Sequence, residues 1–426
     1  MSLFVIVCFL VLAFLGMPLA FSLGVSALAG LWLSGFDLLV LPPRLMNSVN
    51  SFPLMSIPLF MIAGELMLKG GIMERLVDFA NAFIGRVHGG LAQVAVISGA
   101  GLASVSGAAV ADASALSSTL VPSLRKQYGL GFSTGIVAAA ANLGPIIPPS
   151  GAMIVYAFMA GSSVSVGGMF MSGVVPGLIL FALFMLLCRI ISKRRNYPLA
   201  GEPVSLARIL HELRRSFLVF LMPVIVIGGI VIGAFTPTEG AAIGVCYALV
   251  LGFFVTRKLT VADLPHVLLT AAKTSAVVGA MIAFASTVTF LFTIDMLPMK
   301  LAALMQGVTD SPFAFLCLVA AMLLIVGMFL ESNAAYIMLV PLFHPIALQY
   351  GIDPLHFGFL FVLNLVIGML TPPVGVVLFV VTGITGVKMG DLVRESWPFI
   401  AAMYAVLLLC MLVPGVVTWL PEQLGY

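Results

Sequence analysis

Two long apolar stretches of the chain are each interrupted by a few polar residues, and these residues could carry chemistry. In the first stretch, residues 91–124, the interruption holds Ser104, Ser106 and Gly107, and Asp112 follows about one turn later. Hydroxyl and carboxylate oxygens in an apolar medium suit a cation such as sodium, and a helix N-terminus suits a substrate carboxylate. Two alternatives stay open: small residues can serve close helix packing alone, and Asp112 can be a neutralised partner of the helix dipole.

The second stretch, residues 312–349, is interrupted by Glu331, Ser332 and Asn333. A buried carboxylate beside a hydroxyl and an amide can bind or tune a cation, and the alternative is a purely structural helix cap. We expect the halves of both stretches to be too short to cross a membrane. Both stretches are therefore predicted to be re-entrant hairpins with a polar tip at mid-membrane.

Two Pro-Pro pairs lie in the middle of further apolar segments. Residues 148–149 interrupt the segment 130–163, and residues 372–373 interrupt 356–386. Consecutive prolines remove amide donors and disfavour helix just before them, so each segment should break into two half-helices. The freed carbonyls are ligands for sodium, and the following helix N-terminus can hold an anion. Ser150 follows the first pair but Val374 the second, which suggests a substrate nearer the first half.

An ordered set of motifs recurs in the two halves of the chain. LVP (120–122), QYG (127–129), Asn142 and PPSG (148–151) are matched by LVP (339–341), QYG (349–351), Asn364 and PPVG (372–375). We predict a first repeat over 1–191, with scaffold helices in 1–88 and the hairpin and broken helix in 89–163. The second repeat spans 217–426, with scaffold in 217–311, hairpin and broken helix in 312–386 and a last span at 396–420. The two asparagines are expected to bridge a tip to an unwound strand.

The composition of the chain indicates the kind of structural element that carries these polar residues. Of the 426 residues, 8% are charged and 62% hydrophobic, and the mean hydropathy is +1.22. A water-soluble domain carries about 25% charged residues, so a soluble enzyme is excluded and an all-α polytopic membrane protein is predicted. The predicted spans are 2–16, 18–35, 51–69, 130–163, 168–191, 217–235, 239–256, 275–297, 356–386 and 396–420.

The basic residues predict the orientation of the chain. The polar interval 192–216 holds six Lys and Arg residues, which places it in the cytoplasm as a basic loop. From that anchor only Arg44 and Lys300 of the 19 cations fall on the other side. The first hairpin then opens to the cytoplasm and the second to the opposite face, so the repeats are inverted and both termini are periplasmic. Inverted repeats are typical of secondary transporters, and the net charge of +3 gives no indication of a nucleic-acid partner.

The sequence also limits the energy sources that could drive transport. The chain has no G-x-x-x-x-G-K-[ST] motif, so ATP hydrolysis is not expected and an ion gradient remains. Neither tip and neither Pro-Pro break contains Lys or Arg. An anionic substrate would need helix N-termini, hydroxyls and co-bound cations as compensation, which favours symport.

Several motifs resemble one known family over nearly the whole chain. PLFMIAGE (58–65), GGL (89–91), SVSGAAVAD (104–112), IPPSG (147–151) and TPTE (236–239) are similar to the large membrane subunit of tripartite ATP-independent periplasmic (TRAP) transporters. The resemblance implies an elevator-type permease of the bacterial inner membrane, driven by sodium. It also implies a small four-helix membrane subunit, expected as a separate chain, and a periplasmic binding protein that delivers an organic carboxylate anion.

The resemblance places the serines of the first tip and the Pro-Pro-Ser segment in the family's substrate and ion region, and the second tip with residues 364–375 in its second sodium region. Combined with the chemistry of the buried polar residues, this gives the predicted substrate-binding residues Ser104, Ser106, Asp112, Asn142 and Ser150. The predicted sodium ligands are Ser106, Gly107, Asn142, Pro145, Glu331, Ser332, Asn333, Asn364, Gly368 and Thr371. No cofactor other than the coupling ions is expected.

Two other functions remain as alternatives. The first is a self-sufficient sodium-coupled symporter for dicarboxylates or other anions that needs no binding protein. The second is an intramembrane hydrolase using Ser104 or Ser106 with Asp112, which would lack a nearby His or Lys base. Among the other residues, the five cysteines are expected to be packing residues, and His88, His266, His344 and His356 to be interfacial. Segment 72–88 and its counterpart 299–310 are predicted as amphipathic helices at the two membrane surfaces.

Overall fold

The computed structural model describes residues 1–84, 87–200 and 205–426. This part of the chain is almost entirely helical, with two short strands, β1 (Val87–His88) and β2 (Leu199–Ala200), paired antiparallel. Its α-helices are α1 (Ser2–Phe14), α2 (Leu19–Leu33), α3 (Leu41–Val49), α4 (Ser56–Lys69), α5 (Ile72–Ile84), α6 (Gly90–Ser106), α7 (Ala109–Tyr128), α8 (Leu130–Ala141), α9 (Gly151–Ala160), α10 (Val166–Arg194), α11 (Leu206–Val231), α12 (Pro237–Val250), α13 (Leu264–Ile294), α14 (Leu297–Val308), α15 (Pro312–Phe329), α16 (Ser332–Gln349), α17 (Pro354–Gly368), α18 (Val376–Thr385), α19 (Met389–Leu412) and α20 (Gly415–Gln423).

The predicted fold class, an all-α protein that crosses the membrane several times, is confirmed. Within the described residues seven helical segments are long and apolar enough to span a bilayer: Phe52–Lys69, Val166–Arg194, Leu206–Val231, Pro237–Val255, Val261–Ile294, Pro312–Phe329 and Met389–Leu412. Large apolar side chains such as Leu178, Val224 and Phe254 are exposed on them, as expected for surfaces that meet lipid. The predicted span 2–16 forms only α1, whose 13 residues reach about 20 Å.

The two hairpins lie where they are predicted. α6 turns into α7 at Gly107 and Ala108, and α15 turns into α16 at Leu330 and Glu331. The expectation that every arm is too short to cross is wrong, because α7 has 20 residues and α15 has 18. These lengths correspond to about 30 and 27 Å, close to the thickness of a hydrocarbon core. The re-entrant path of the hairpins stays a prediction.

Both apolar segments with Pro-Pro pairs break as predicted. α8 ends at Ala141 and α9 begins at Gly151, while α17 ends at Gly368 and α18 begins at Val376. Both Pro-Pro peptide bonds are cis. The order of hairpin, half-helix, break and half-helix therefore recurs in α6–α9 and α15–α18. The inverted orientation of the repeats and their domain limits stay predictions.

The predicted basic loop, residues 192–216, is shorter in the structure. α10 continues to Arg194 and α11 already begins at Leu206, and residues 201–204 lie outside the described part of the chain. The helix extends because Leu206, Leu210 and Leu213 recur at helical spacing among the charged residues of this interval.

Two amphipathic helices flank the hairpins. The predicted segment 72–88 forms α5 followed by β1, with residues 85 and 86 outside the described part, and the segment 299–310 lies mostly in α14. α5 packs against α6 of the first hairpin, and α14 packs against α16 of the second. Their location at the membrane surfaces stays a prediction.

Candidate functional site

The tip of the first hairpin lies directly on the first Pro-Pro break. Gly107 has a φ of +62°, and a Cβ atom there would lie 2.5 Å from the carbonyl oxygen of Pro149 and 3.1 Å from the Cα atom of Ser150. Only glycine combines this left-handed backbone with so close an approach. The tertiary structure therefore brings the predicted site residues Gly107 and Ser150 to one place.

A buried carboxylate lies beside this contact. Ser106, on the last turn of α6, donates a hydrogen bond to Oδ1 of Asp112 on the first turn of α7. Asp112 is fully buried, and its Oδ2 has no hydrogen-bond partner among the described residues. Oδ2 faces Gly144, where a Cβ atom would lie 2.5 Å away. An ionised carboxylate in this setting needs a positive charge beside it.

Ser104 is separate from this group. Its hydroxyl donates to the carbonyl of Gly101 on its own helix at 2.7 Å. Such a bond to the preceding turn satisfies the hydroxyl inside α6. Of the two serines predicted at the first tip, only Ser106 therefore contacts Asp112.

Ser150 and Pro145 are paired within the first break. The hydroxyl of Ser150 donates to the carbonyl of Pro145 at 2.7 Å and accepts from the amide of Met153 at 3.4 Å. Ser150 is fully buried and caps the N-terminus of α9. Its hydroxyl proton is used by this bond, whereas the Pro145 carbonyl keeps a second lone pair for another donor or a cation.

The two repeat-matched asparagines connect the broken helices to their neighbours. Asn142 donates through Nδ2 to the carbonyl of Val366 on α17 at 3.0 Å, and Asn364 donates to the carbonyl of Ala320 on α15 at 2.7 Å. Asn142 thus joins the two broken helices, and Asn364 reaches a hairpin arm rather than a tip. In both residues the amide oxygen Oδ1 is buried and has no partner among the described residues.

The second hairpin lies on the second break in a similar way. The amide of Gly375 donates to the carbonyl of Met328 at 3.1 Å. A Cβ atom on Gly368 would lie 2.7 Å from the backbone of Gly327. The end of α15 and the second break therefore touch through their backbones.

The carboxylate of Glu331 serves as a helix cap. It accepts from the backbone amides of Asn333 at 3.1 Å and Ala334 at 3.4 Å, and from the side-chain amide of Asn333 at 2.9 Å. These bonds form a structural helix cap, the alternative to a cation site at this tip. Cation binding at this tip stays a prediction. Ser332 is buried beside it, and Thr371 in the second break donates to a carbonyl of α17 at 2.7 Å.

The expectation that His344 and His356 are interfacial is wrong. His344 is 2% exposed and pairs with Tyr156 and Ser163, while His356 is 3% exposed and pairs through Nε2 with the carbonyl of Cys410 at 2.8 Å. A polar ring inside an apolar helix must find partners on other helices. The position of His344 within an apolar segment indicates that its ring needs hydrogen-bond partners, but the sequence does not identify them.

Comparison with known proteins relates the chain to one family. Residues 6–416 match the family model described as "Tripartite ATP-independent periplasmic transporter, DctM component". The chain is 38% identical over 406 residues to the C4-dicarboxylate TRAP transporter large permease protein DctM of Pseudomonas aeruginosa, covering 95% of this chain and 94% of that protein. It is 37% identical over 403 residues to the isethionate TRAP transporter permease protein DctMQ of Oleidesulfovibrio alaskensis, covering 94% of this chain but 63% of that protein.

A solved structure shares the fold. The crystal structure of the Alcanivorax borkumensis YdaH transporter matches with a TM-score of 0.63 over 88% of each chain, at 15% sequence identity. This likeness concerns the arrangement of helices alone.

Proposed function

Because this chain belongs to the DctM family, the large permease component of TRAP transporters, we propose that it imports an organic carboxylate anion across the bacterial inner membrane, driven by sodium. A periplasmic binding protein delivers the anion, and a small four-helix membrane subunit completes the transporter. Both termini lie on the periplasmic side. The family's members are transporter permeases, which favours transport over the hydrolase alternative.

The observation that supports sodium coupling is the set of buried oxygens without partners at the site. These are Oδ2 of Asp112 and Oδ1 of Asn142 and Asn364. Carboxylate and amide oxygens are hard ligands, which suit a cation such as sodium. The amide oxygens of Asn142 and Asn364 occupy matching positions of the two repeated motifs, so each repeat contributes one such oxygen.

Charge balance supports symport with an anion. The two tips and two breaks contain no Lys or Arg, and Asp112 is already buried there. When Asp112 is ionised, a carboxylate substrate entering beside it meets electrostatic repulsion in a medium that screens poorly. Bound sodium ions offset this repulsion, so the anion binds well only after the cations do.

The contact of each hairpin with its own break supports an elevator mechanism. The first tip packs on Pro149 and the second hairpin on Gly368 and Gly375. A hairpin and its break therefore enclose the bound ions from two sides. We propose that these units carry anion and sodium together across the membrane, past a frame that includes α5 and α14.

Reconstitution tests the proposal. The binding protein encoded with this chain is screened for the organic acid that most raises its melting temperature, and that radiolabelled acid becomes the probe. Proteoliposomes with both membrane subunits, supplied with binding protein, should accumulate the acid only under an inward sodium gradient. Uptake by this chain alone, with no binding protein, would favour the self-sufficient symporter, and uptake independent of sodium would reject the coupling.

A further inference from the structure

A buried histidine joins the two halves of the molecule away from the hairpin tips. Nδ1 of His344 pairs with the hydroxyl of Tyr156 at 2.8 Å, and Nε2 pairs with the hydroxyl of Ser163 at 2.8 Å. His344 lies on α16, the second arm of the second hairpin, whereas Tyr156 lies on α9 and Ser163 in the 3-10 turn that follows it. We call these three residues the histidine bridge.

The bond from Ser163 to Ala160 assigns a direction to the hydrogen bonds of the bridge. Ser163 donates its only hydroxyl proton to the carbonyl of Ala160 at 3.1 Å, so its oxygen accepts from Nε2–H of His344. Nδ1 is then the acceptor for the Tyr156 hydroxyl. Both ring nitrogens of a neutral imidazole are thus used, each toward the first half of the chain.

The bridge lies at a junction of three helices. The Tyr156 ring packs on Phe361 of α17 with centroids 5.5 Å apart, and a Cβ atom on Gly358 would lie 2.6 Å from the Tyr156 ring. Tyr156 is fully buried and His344 is 2% exposed, so water does not substitute for the bond between them. His344 follows the first residue of α16 by 12 positions, which places it about 18 Å along the helix from the second tip.

We propose that His344 is a positioning residue that holds α9 and α16 in one register, so that the two hairpin-and-break units move as a single body. The inference rests on the proposed elevator transport and adds a named coupling element to it. Apolar contact between helices is non-directional and tolerates sliding. The two hydrogen bonds of the His344 ring reach two different points, Tyr156 on α9 and Ser163 in the turn after it. Because hydrogen bonds are directional, the pair restrains both rotation and sliding of α9 relative to α16.

Paired substitutions separate positioning from stability. His344→Phe keeps the ring but leaves the buried Tyr156 hydroxyl without a partner, so both the melting temperature and the uptake rate should fall. The double variant Tyr156→Phe/His344→Phe removes both polar groups and should recover much of the melting temperature. Its uptake should stay about tenfold below wild type, which corresponds to about 1.4 kcal/mol. Recovery of uptake together with stability would reduce the bridge to a packing element and overturn the proposal.

Two further variants sharpen the test. His344→Gln keeps one donor and one acceptor and should restore uptake above the level of His344→Phe. Ser163→Ala removes the outer partner and should lower uptake, whereas Ser162→Ala, in the same exposed turn, is the matched control and should not. Equal uptake by the two serine variants would contradict a role for the outer bond.

A measurement on the purified chain keeps the inference independent of transport. Hydrogen exchange in α9 should increase in the double variant, while exchange in α8 stays at the wild-type level. Unchanged exchange in α9 would overturn the coupling even if the transporter is active. Absence of uptake by the wild-type transporter would instead count against the proposed function and leave this exchange test valid.

Discussion

Replacing Gly107 with alanine tests whether transport requires the first hairpin to lie on the first break. The new Cβ atom would lie 2.5 Å from the carbonyl oxygen of Pro149, whereas ordinary contact begins at 3.4 Å. The Pro149 carbonyl belongs to the backbone and cannot rotate away from the new Cβ atom. The hairpin tip must therefore move away from the break until the two atoms reach ordinary contact distance. A left-handed backbone costs alanine about 1–2 kcal/mol, and overpacking adds about 1–3 kcal/mol. With 1.36 kcal/mol for each factor of ten, the population with the tip in place should fall by at least about 30-fold.

Gly386 provides a control with nearly the same backbone. It ends α18 at φ +70° and ψ 14°, close to the φ +62° and ψ 16° of Gly107, and nothing lies within 4 Å of a Cβ atom there. Gly386→Ala therefore carries the backbone cost without the clash. Its uptake should exceed that of Gly107→Ala by about fivefold or more, because the clash alone costs about 1–3 kcal/mol.

The assay is sodium-driven uptake in proteoliposomes containing the complete transporter, normalised to the monodisperse permease recovered after purification. Both variants should insert and purify normally, because the substitutions lie at helix ends. If Gly107→Ala transports as fast as Gly386→Ala, contact between tip and break is not needed for transport and the reasoning fails.

Three other substitutions test the rest of the site in the same assay. Gly368→Ala should lower uptake about tenfold, because its Cβ atom would meet the second hairpin at 2.7 Å, while Gly383→Ala on the open face of α18 should not; equal rates would contradict this. Ser106→Leu should abolish uptake without loss of insertion, whereas Ser118→Leu at an exposed position of α7 should retain it; wild-type uptake by Ser106→Leu would reject the first tip as the site. Asn364→Leu should raise the sodium concentration for half-maximal uptake about tenfold, and an unchanged value would exclude its amide oxygen as a ligand.

Much of the fold was predictable from local features of the sequence. Apolar length identified the membrane class, and the Pro-Pro pairs at 148–149 and 372–373 located both helix breaks because proline acts on its own and the preceding residues. Arm lengths were less predictable. α7 continues through the charged residues Arg125 and Lys126 to Tyr128, and α15 runs without a break from Pro312 to Phe329, so both arms are longer than expected.

Individual roles depended on partners that the sequence does not reveal. Ser104 and Ser106 are similar residues two positions apart, yet one bonds its own helix and the other bonds Asp112. Glu331 carries the charge expected of a ligand but is used as a helix cap. Which of two nearby hydroxyls turns toward a carboxylate depends on the side of the helix that faces the interior.

The sequence by itself determined the helical class, the broken helices, the polar tips and the family, since these follow from composition, proline and short motifs. Only the tertiary structure decided that Gly107 lies on Pro149, that Asn142 reaches Val366 and that His344 joins Tyr156. Each of these contacts joins segments distant in the chain. Their geometry is set by how whole helices pack, and close packing selects one arrangement among the many that local propensities allow.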